Sequence, residues 1–365
     1  MANSHCLFGK EIDMAKEVFF RNRSEMAQYI TISKPKNLMG ETDVLFNNDF
    51  DGYPKFALAD VYGTIFPQGK VDGKPYFYFR HTDISHNKYR FGNILEFADE
   101  PFAVQKGSLF EGKLATADTP IEPYRIISED PLVYGFDSKE PFVQARYCQD
   151  GLYMKEGDSF SLKCEPWPIA VVDHQSTYAA TSGIFQPSTF SGILNGKPFL
   201  GLGSYDRLYI QSKVGGFSGV PLGYTGFSLM GIREDGRKEI MTASGSYNED
   251  GKVSAVYWLE GETPIVCDCF SVETTWRHLP YVNDGTCVFK DAIIRFGGKE
   301  FHFEGKWGTK GFLDKPRLEK HGQSQMFGTW YAGDKPYKHK LFYTFVENME
   351  AYDYKLKEWG FEIED

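Results

Sequence analysis

The chain has 365 residues, 41 % of them hydrophobic and 25 % charged, with a formal net charge of −10. This composition excludes a disordered chain. The acidic balance, with no basic run longer than Lys335–Lys340, excludes an ordinary duplex-binding surface, so nucleic acid is not an expected partner.

The N-terminal stretch MANSHCLFGKEIDMAKEVFF lacks a basic segment followed by an apolar one. No window approaches the run of about 20 apolar residues that spans a bilayer. The expectation is a soluble cytoplasmic protein with no membrane span. From Lys10 to Ala27 the residues Ile12, Met14, Ala15, Val18, Phe19 and Met26 recur at helical spacing. An N-terminal helix is therefore predicted within residues 1–40.

From about Thr42 the pattern turns to strands, which the 31 Phe and 22 Tyr suit. Phe56–Phe66, the turn GKVDGK and Tyr76–Phe79 read as a hairpin. Tyr224–Ile232, Glu239–Tyr247 and Val253–Leu259 are joined by EDGR and NEDG. Asp-Gly in each turn predicts a three-stranded antiparallel meander, because glycine accepts positive φ without a clash. Gly73–Phe79 (GKPYFYF), Gly196–Leu202 (GKPFLGL) and Gly298–Glu304 (GKEFHFE) echo one another, each after a short strand. They read either as a common hairpin turn used three times or as a meander repeated in two related halves. Cys164–Gly183, with its prolines and small polar residues, is the expected joint. The predicted domains are 1–40, 41–180 and 181–365. The C-terminal stretch Lys340–Trp359 reads as a strand followed by a short helix.

Cys6, Cys148, Cys164, Cys267, Cys269 and Cys287 are spread too widely for a disulfide scaffold. Cys267-x-Cys269 has no further ligands at metal spacing and reads as core or half-buried thiols. No metal site is expected. No GxGxxG opens a helix, and no GxSxG is present, so neither a dinucleotide fold nor a serine hydrolase is supported.

The stretch GKPFLGLGSYDRLYI at Gly196–Ile210 sets Tyr205, Asp206 and Arg207 side by side at a strand end. Gly201, Gly203, Asp206, Arg207 and Tyr209 resemble a segment of the lipocalin-like hydratase superfamily, which includes carotenoid 1,2-hydratases, AttH-like proteins and kievitone hydratase. Arg207 stands where that family often has His, and Tyr209-Ile210 where it often has Trp-Gly. The resemblance implies a mainly β fold of two lipocalin-like, calycin-type antiparallel barrel halves around a hydrophobic ligand. It implies hydration, dehydration, cyclisation or isomerisation of a polyphenol, terpenoid or steroid-like compound, with no organic cofactor.

Such chemistry needs a proton delivered and a proton taken, by a carboxyl, imidazole or phenol tuned toward neutrality. Asp206, His174, His81 and Tyr205 are the candidate acid–base groups. Tyr205 and Arg207 alternate with Asp206, so they face one way and Asp206 the other. Asp173-His174 precedes Tyr178 in VVDHQSTY, and Trp276, Arg277 and His278 close another strand. Arg207, Tyr209, Asp173, Tyr178, Arg277, His278 and Trp276 are the candidate substrate-binding groups, an arginine suiting a carboxylate or phenolate. His302 and Glu304 share a face that reads as solvated. A lyase or isomerase, a non-catalytic carrier of lipophilic ligands, and a carbohydrate-active β protein all remain open. A homodimer is compatible with each.

Overall fold

The computed structural model describes residues 17–21, 28–33, 60–83, 88–97, 104–106, 119–126, 133–138, 143–148, 151–158, 160–175, 180–194, 196–211, 224–246, 253–280, 282–310 and 323–364. In chain order the strands begin with β1 Glu17–Arg21, β2 Gln28–Ser33, β3 Asp60–Val71, β4 Lys74–Asp83, β5 Lys88–Phe97 and β6 Val104–Lys106. They continue with β7 Thr119–Ile126, β8 Val133–Ser138, β9 Val143–Cys148, β10 Gly151–Glu156, β11 Phe160–Pro166 and β12 Ala170–Gln175. Next come β13 Ala180–Leu194, β14 Lys197–Gln211, β15 Tyr224–Ile232, β16 Lys238–Ser246, β17 Ser254–Leu259 and β18 Ile265–Cys267. The last are β19 Cys269–His278, β20 Cys287–Phe296, β21 Lys299–Lys310, β22 Ser324–Ala332, β23 Leu341–Asn348 and β24 Ile363–Glu364, with the helix α1 Asp353–Glu358 before β24.

The chain divides into two compact units. A C-terminal unit gathers Met1–Glu25, Phe97–Gln105 and Val220–Asp365, and a central unit gathers Met26–Glu96 and Lys106–Gly219. The long division therefore falls between Gly219 and Val220. The expected joint at 164–183 lies inside the central unit, as the end of β11, all of β12 and the start of β13.

In the central unit β11 is what closes the sheet. One half of β13 takes β12, from Val171↔Phe185 to Gln175↔Thr181. The other half takes β11, from Phe160↔Leu194 to Pro166↔Ser188. The order β11-β10-β9-β8-β7-β5-β4-β3-β14-β13 thus returns to β11 as an antiparallel ring. A closed ring leaves no free edges. Its core includes Ile65, Tyr76, Leu152, Phe160, Phe190 and Phe199.

In the C-terminal unit the order β1-β19-β20-β21-β22-β23-β15-β16-β17-β18 curls until β17 comes beside β19 and β1 beside β16. Aromatic rings fill it. Trp276 lies 4.1 Å from Phe289, and Phe227 stacks on Phe289 at 5.6 Å. Full burial of each large apolar side chain is worth about 1.5–3 kcal/mol.

All three Gly-Lys echoes are hairpin turns, joining β3 to β4, β13 to β14 and β20 to β21. At the first, Asp72 and Gly73 both have positive φ, 51° and 82°, the geometry that matches the twist of the flanking strands. The expected meander is β15–β16–β17, and the expected C-terminal strand and short helix are β23 and α1.

The N-terminal helix is not formed where the chain is described. Glu17–Arg21 is a strand, paired from Glu17↔Glu273 to Arg21↔Cys269. The run Val18-Phe19-Phe20 carries β-favouring side chains, and the free edge of β19 offers a ladder that overrides the helical spacing. Glu17 anchors it, accepting from Ser271 Oγ at 2.5 Å and pairing with Arg295 Nη1 at 3.4 Å. The rest of the helical expectation lies outside the described residues. The cysteine expectation is also corrected: Cys267 is a buried free thiol, but Cys269 is disulfide-bonded. Among the described residues no helix is long and apolar enough to cross a membrane.

Candidate functional site

Alternation along the strands of the C-terminal unit sorts its residues onto two faces. Phe227, Ala243, Ala255, Met326 and Val346 belong to the core. The positions between them make a second face, organised in rows by the ladder. One row runs Tyr343–Met230–Ile240–Trp258. The next holds Phe345–Ser228–Thr242–Val256, and the third Gln325–Glu347–Gly226–Ser244–Ser254. This face therefore grades from apolar to polar along the strands.

Much of this face is covered. Gln325, Phe327, Tyr343, Met230, Ile240 and Val256 are fully buried, although none belongs to the unit's core cluster. Between them Phe345, Glu347, Ser228, Thr242 and Ser244 are only half-buried. Gly226, the neighbour of Glu347 in its row, offers no side chain to cover it. Phe97 of the same unit stacks on Trp307 at 4.6 Å and lies 4.7 Å from Phe327.

Glu347 is the acid of this face. Its Oε1 accepts from the amide of Gln323 and, at 3.3 Å, from that of Gln325. Burial pushes its carboxyl above the ordinary carboxylate value, and the two amide donors pull it only part of the way back. A carboxyl so placed keeps its proton further toward neutral pH than a solvated one. On the core side of the same strands Thr225 Oγ1 donates to Asn348 Oδ1 at 2.7 Å. Asn348 Nδ2 donates to Ser324 Oγ at 3.5 Å. These bonds tie β15, β23 and β22 together at the level of the acid and fix its register.

A second ionisable cluster closes one end of the core. Glu239, fully buried, accepts from Arg233 Nε at 2.7 Å, Tyr337 Oη at 2.6 Å and Tyr257 Oη at 3.3 Å. The His339 Nε2 also lies 2.6 Å from it. Arg233 sits 4.5 Å over the Tyr337 ring, and His339 stacks on Trp330 at 4.9 Å. Burial would raise Glu239, but the bonds from His339, Arg233 and Tyr337 outweigh it and hold the carboxyl below its ordinary value. Burial and the Glu239 charge push the Tyr337 and Tyr257 phenols up. Glu239 is saturated with donors and holds no proton to give.

The residues expected from the sequence scatter over both units. Tyr205 is a core side chain of the central unit. Asp206 is half-buried and shares a register row with Phe185, Thr64 and His81, so the ladder sets Asp206 and His81 two strands apart. Arg207 and Tyr209 occupy the alternate positions, opposite Ile184 and Ser182. Asp173 and His174 pair with Gly183 and Ser182. The side chains of His81, Asp173, His174, Arg207 and Tyr209, and all of Tyr178, lie outside the described residues. Trp276 is buried in the C-terminal core rather than turned toward a ligand. Arg277 is half-buried, and His278 pairs with Asp353 at 3.5 Å on the surface. His302 stacks on Tyr331 and Glu304 is exposed, as the solvated expectation held.

The reading from sequence passed over Glu347, Gln323 and Gln325. Their signal was there: an acid inside the apolar run LFYTFVEN, and two glutamines in alternation just ahead of Met326 and Phe327. Among the described residues no group of three or more His, Cys, Asp or Glu is placed to hold a metal ion.

No protein-family model matches the chain, and no curated protein does. Several solved structures are similar in fold. One is an AttH-type protein of Nitrosomonas europaea, 11 % identical, covering 84 % of this chain and 96 % of its own, with a TM-score of 0.39. Kievitone hydratase of Nectria haematococca is 11 % identical over 86 % of this chain and 95 % of its own, TM-score 0.39. CghA bound to Sch210972 is 11 % identical over 89 % and 99 %, TM-score 0.40.

Proposed function

We propose that the protein is a lyase or isomerase of the hydratase, dehydratase or cyclase type, acting by general acid–base catalysis without an organic cofactor on a hydrophobic small molecule. A polyphenol, terpenoid or steroid is the proposed substrate class. The observation that carries this reading is Glu347: a half-buried carboxyl with a raised pKa, beside Phe345 and at the polar end of a face that is apolar at the other. Groups so perturbed and so placed are candidates for proton transfer.

In the hydration direction the Glu347 O–H protonates one carbon of a C=C bond, and its bonding electrons stay on the carboxylate. Water adds to the other carbon and returns a proton to Glu347, so atoms and charge balance over the cycle. Dehydration is the reverse. In isomerisation the carboxylate removes a proton from a neighbouring carbon instead. The apolar rows hold the substrate's body while the polar row meets its oxygen.

The row containing Asp206 and His81 carries acid–base candidates of the central unit, and one experiment separates it from Glu347. The native protein is incubated in D₂O with a panel of flavonoids, steroids and isoprenoid alkenes, and products are weighed by mass spectrometry. Deuterium uptake or a mass shift of one water is expected, lost in Glu347→Gln and kept in Asp206→Asn. Exchange that survives Glu347→Gln overturns the assignment, and loss only in Asp206→Asn moves the chemistry to the central unit. Saturable binding without exchange anywhere in the panel makes the protein a carrier.

A further inference from the structure

We infer that Gln323 and Gln325 select a substrate bearing a neutral hydroxyl donor, a phenol, enol or alcohol, and that their side-chain carbonyl oxygens receive it. The inference rests on the same face as the proposed catalytic site. It starts from two atoms: Gln323 Oε1 and Gln325 Oε1 are buried and have no hydrogen-bond partner. Their residues are 3 % and 0 % exposed. A buried acceptor left unpaired costs stability, and native proteins keep few of them.

The direction of both amides is set by Glu347. A carboxylate accepts, so it turns the two Nε2–H groups toward itself. Each Oε1 is bonded to the same amide carbon as its Nε2, so both carbonyl oxygens lie flanking the acid. Glu347 cannot satisfy them both. As a neutral acid it carries one O–H, and there are two acceptors. At least one of them is left for a donor from outside.

The donor is a neutral one on physical grounds. An ammonium or guanidinium would leave water for a largely apolar face on which the nearest acid, Glu347, already accepts from two amides, and burying a charge so poorly paired is costly. A hydroxyl on an apolar skeleton brings its own hydrophobic burial and fills the acceptor. It also sets the skeleton's oxygen next to the Glu347 proton. Selectivity of this kind is steep, because a site built to pair a hydroxyl is left with unpaired polar groups when the analogue lacks it.

Matched probes test this without any turnover. Binding of 2-naphthol and of its methyl ether, 2-methoxynaphthalene, is measured by titration calorimetry on the native protein and on the double variant Gln323→Leu/Gln325→Leu. The variant's fold is checked by circular dichroism. The native protein is expected to bind the phenol at least about tenfold more tightly than the ether. The double variant is expected to close that gap and to keep its affinity for the ether. Equal affinities in the native protein, no saturable binding of either probe, or a gap that persists in a folded double variant would each overturn the inference. The native comparison decides alone if the variant does not fold. The native protein separates the two readings: a phenol–ether gap with no deuterium exchange across the panel removes the catalytic role only, and exchange without a gap removes the hydroxyl selection only.

Discussion

Glu239 and Glu347 belong to the same curled sheet, on neighbouring strands β16 and β23 to either side of β15, yet they are opposite kinds of acid. Glu239 points into the core and is fully buried, but every one of its partners is a donor, and it stays ionised. Glu347 points away from the core, its partners are two neutral amides, and burial raises its carboxyl above the ordinary value. Both acids are desolvated, so burial alone does not separate them. The charge and number of the donors around them do. A saturated acid holds structure together, whereas an acid with a raised pKa can exchange a proton.

The contrast can be broken at either end. Glu239→Ala carries the largest expected effect: it strands Arg233, Tyr337 and His339 without their common acceptor, and a loss of about 3–5 kcal/mol is expected in denaturant unfolding. Gly231→Ala attacks the same cluster from outside. A Cβ there would fall 2.0 Å from the His339 ring, so the ring must leave Trp330, and about 1–3 kcal/mol should be lost. Glu347→Gln should cost less than about 1 kcal/mol or even stabilise, since it removes a partly desolvated acid. It should nonetheless lower turnover about a hundredfold or more. If it unfolds the protein instead, the two acids are not different in kind.

The pH dependence is the finest test. For Glu239 the unfolded chain takes up its proton first as pH falls, so its stabilising share is present above the ordinary value of 4.5 and is lost below it. For Glu347 the folded chain keeps its proton longer, so its share falls as pH rises above 4.5. Thermal melts of Glu239→Gln should show a flatter acid limb, and those of Glu347→Gln a flatter decline on the other side. The same sign in both would refute the contrast.

The sequence revealed local structure better than the site. Asp-Gly and Gly-Lys mark turns because positive φ is a local requirement, and those hairpins are where they were expected. The closure of the central ring was hidden, because β11 meets β13 across the very prolines that read as a joint. Within the helical spacing, Glu17–Arg21 was outweighed by the edge of β19, a partner about 250 residues away in the chain. Alternation set Tyr205 and Asp206 on opposite faces, but not which face was core, and Tyr205 is in the core. Glu347 and its glutamines are visible as oddities in apolar strands, but their meeting depends on the register of β22 against β23. No spacing rule reads that across a stretch of more than 20 residues.

The row of Gln325, Glu347, Gly226 and Ser244 adds no atom to the core that folds the unit. If the proposed site is right, substitutions at its half-buried positions Glu347 and Ser244 should alter recognition at little cost to the scaffold, so selection can retune the chemistry without first compensating for lost stability. This outward row is where relatives of the chain should diverge fastest in substrate while their barrels stay alike.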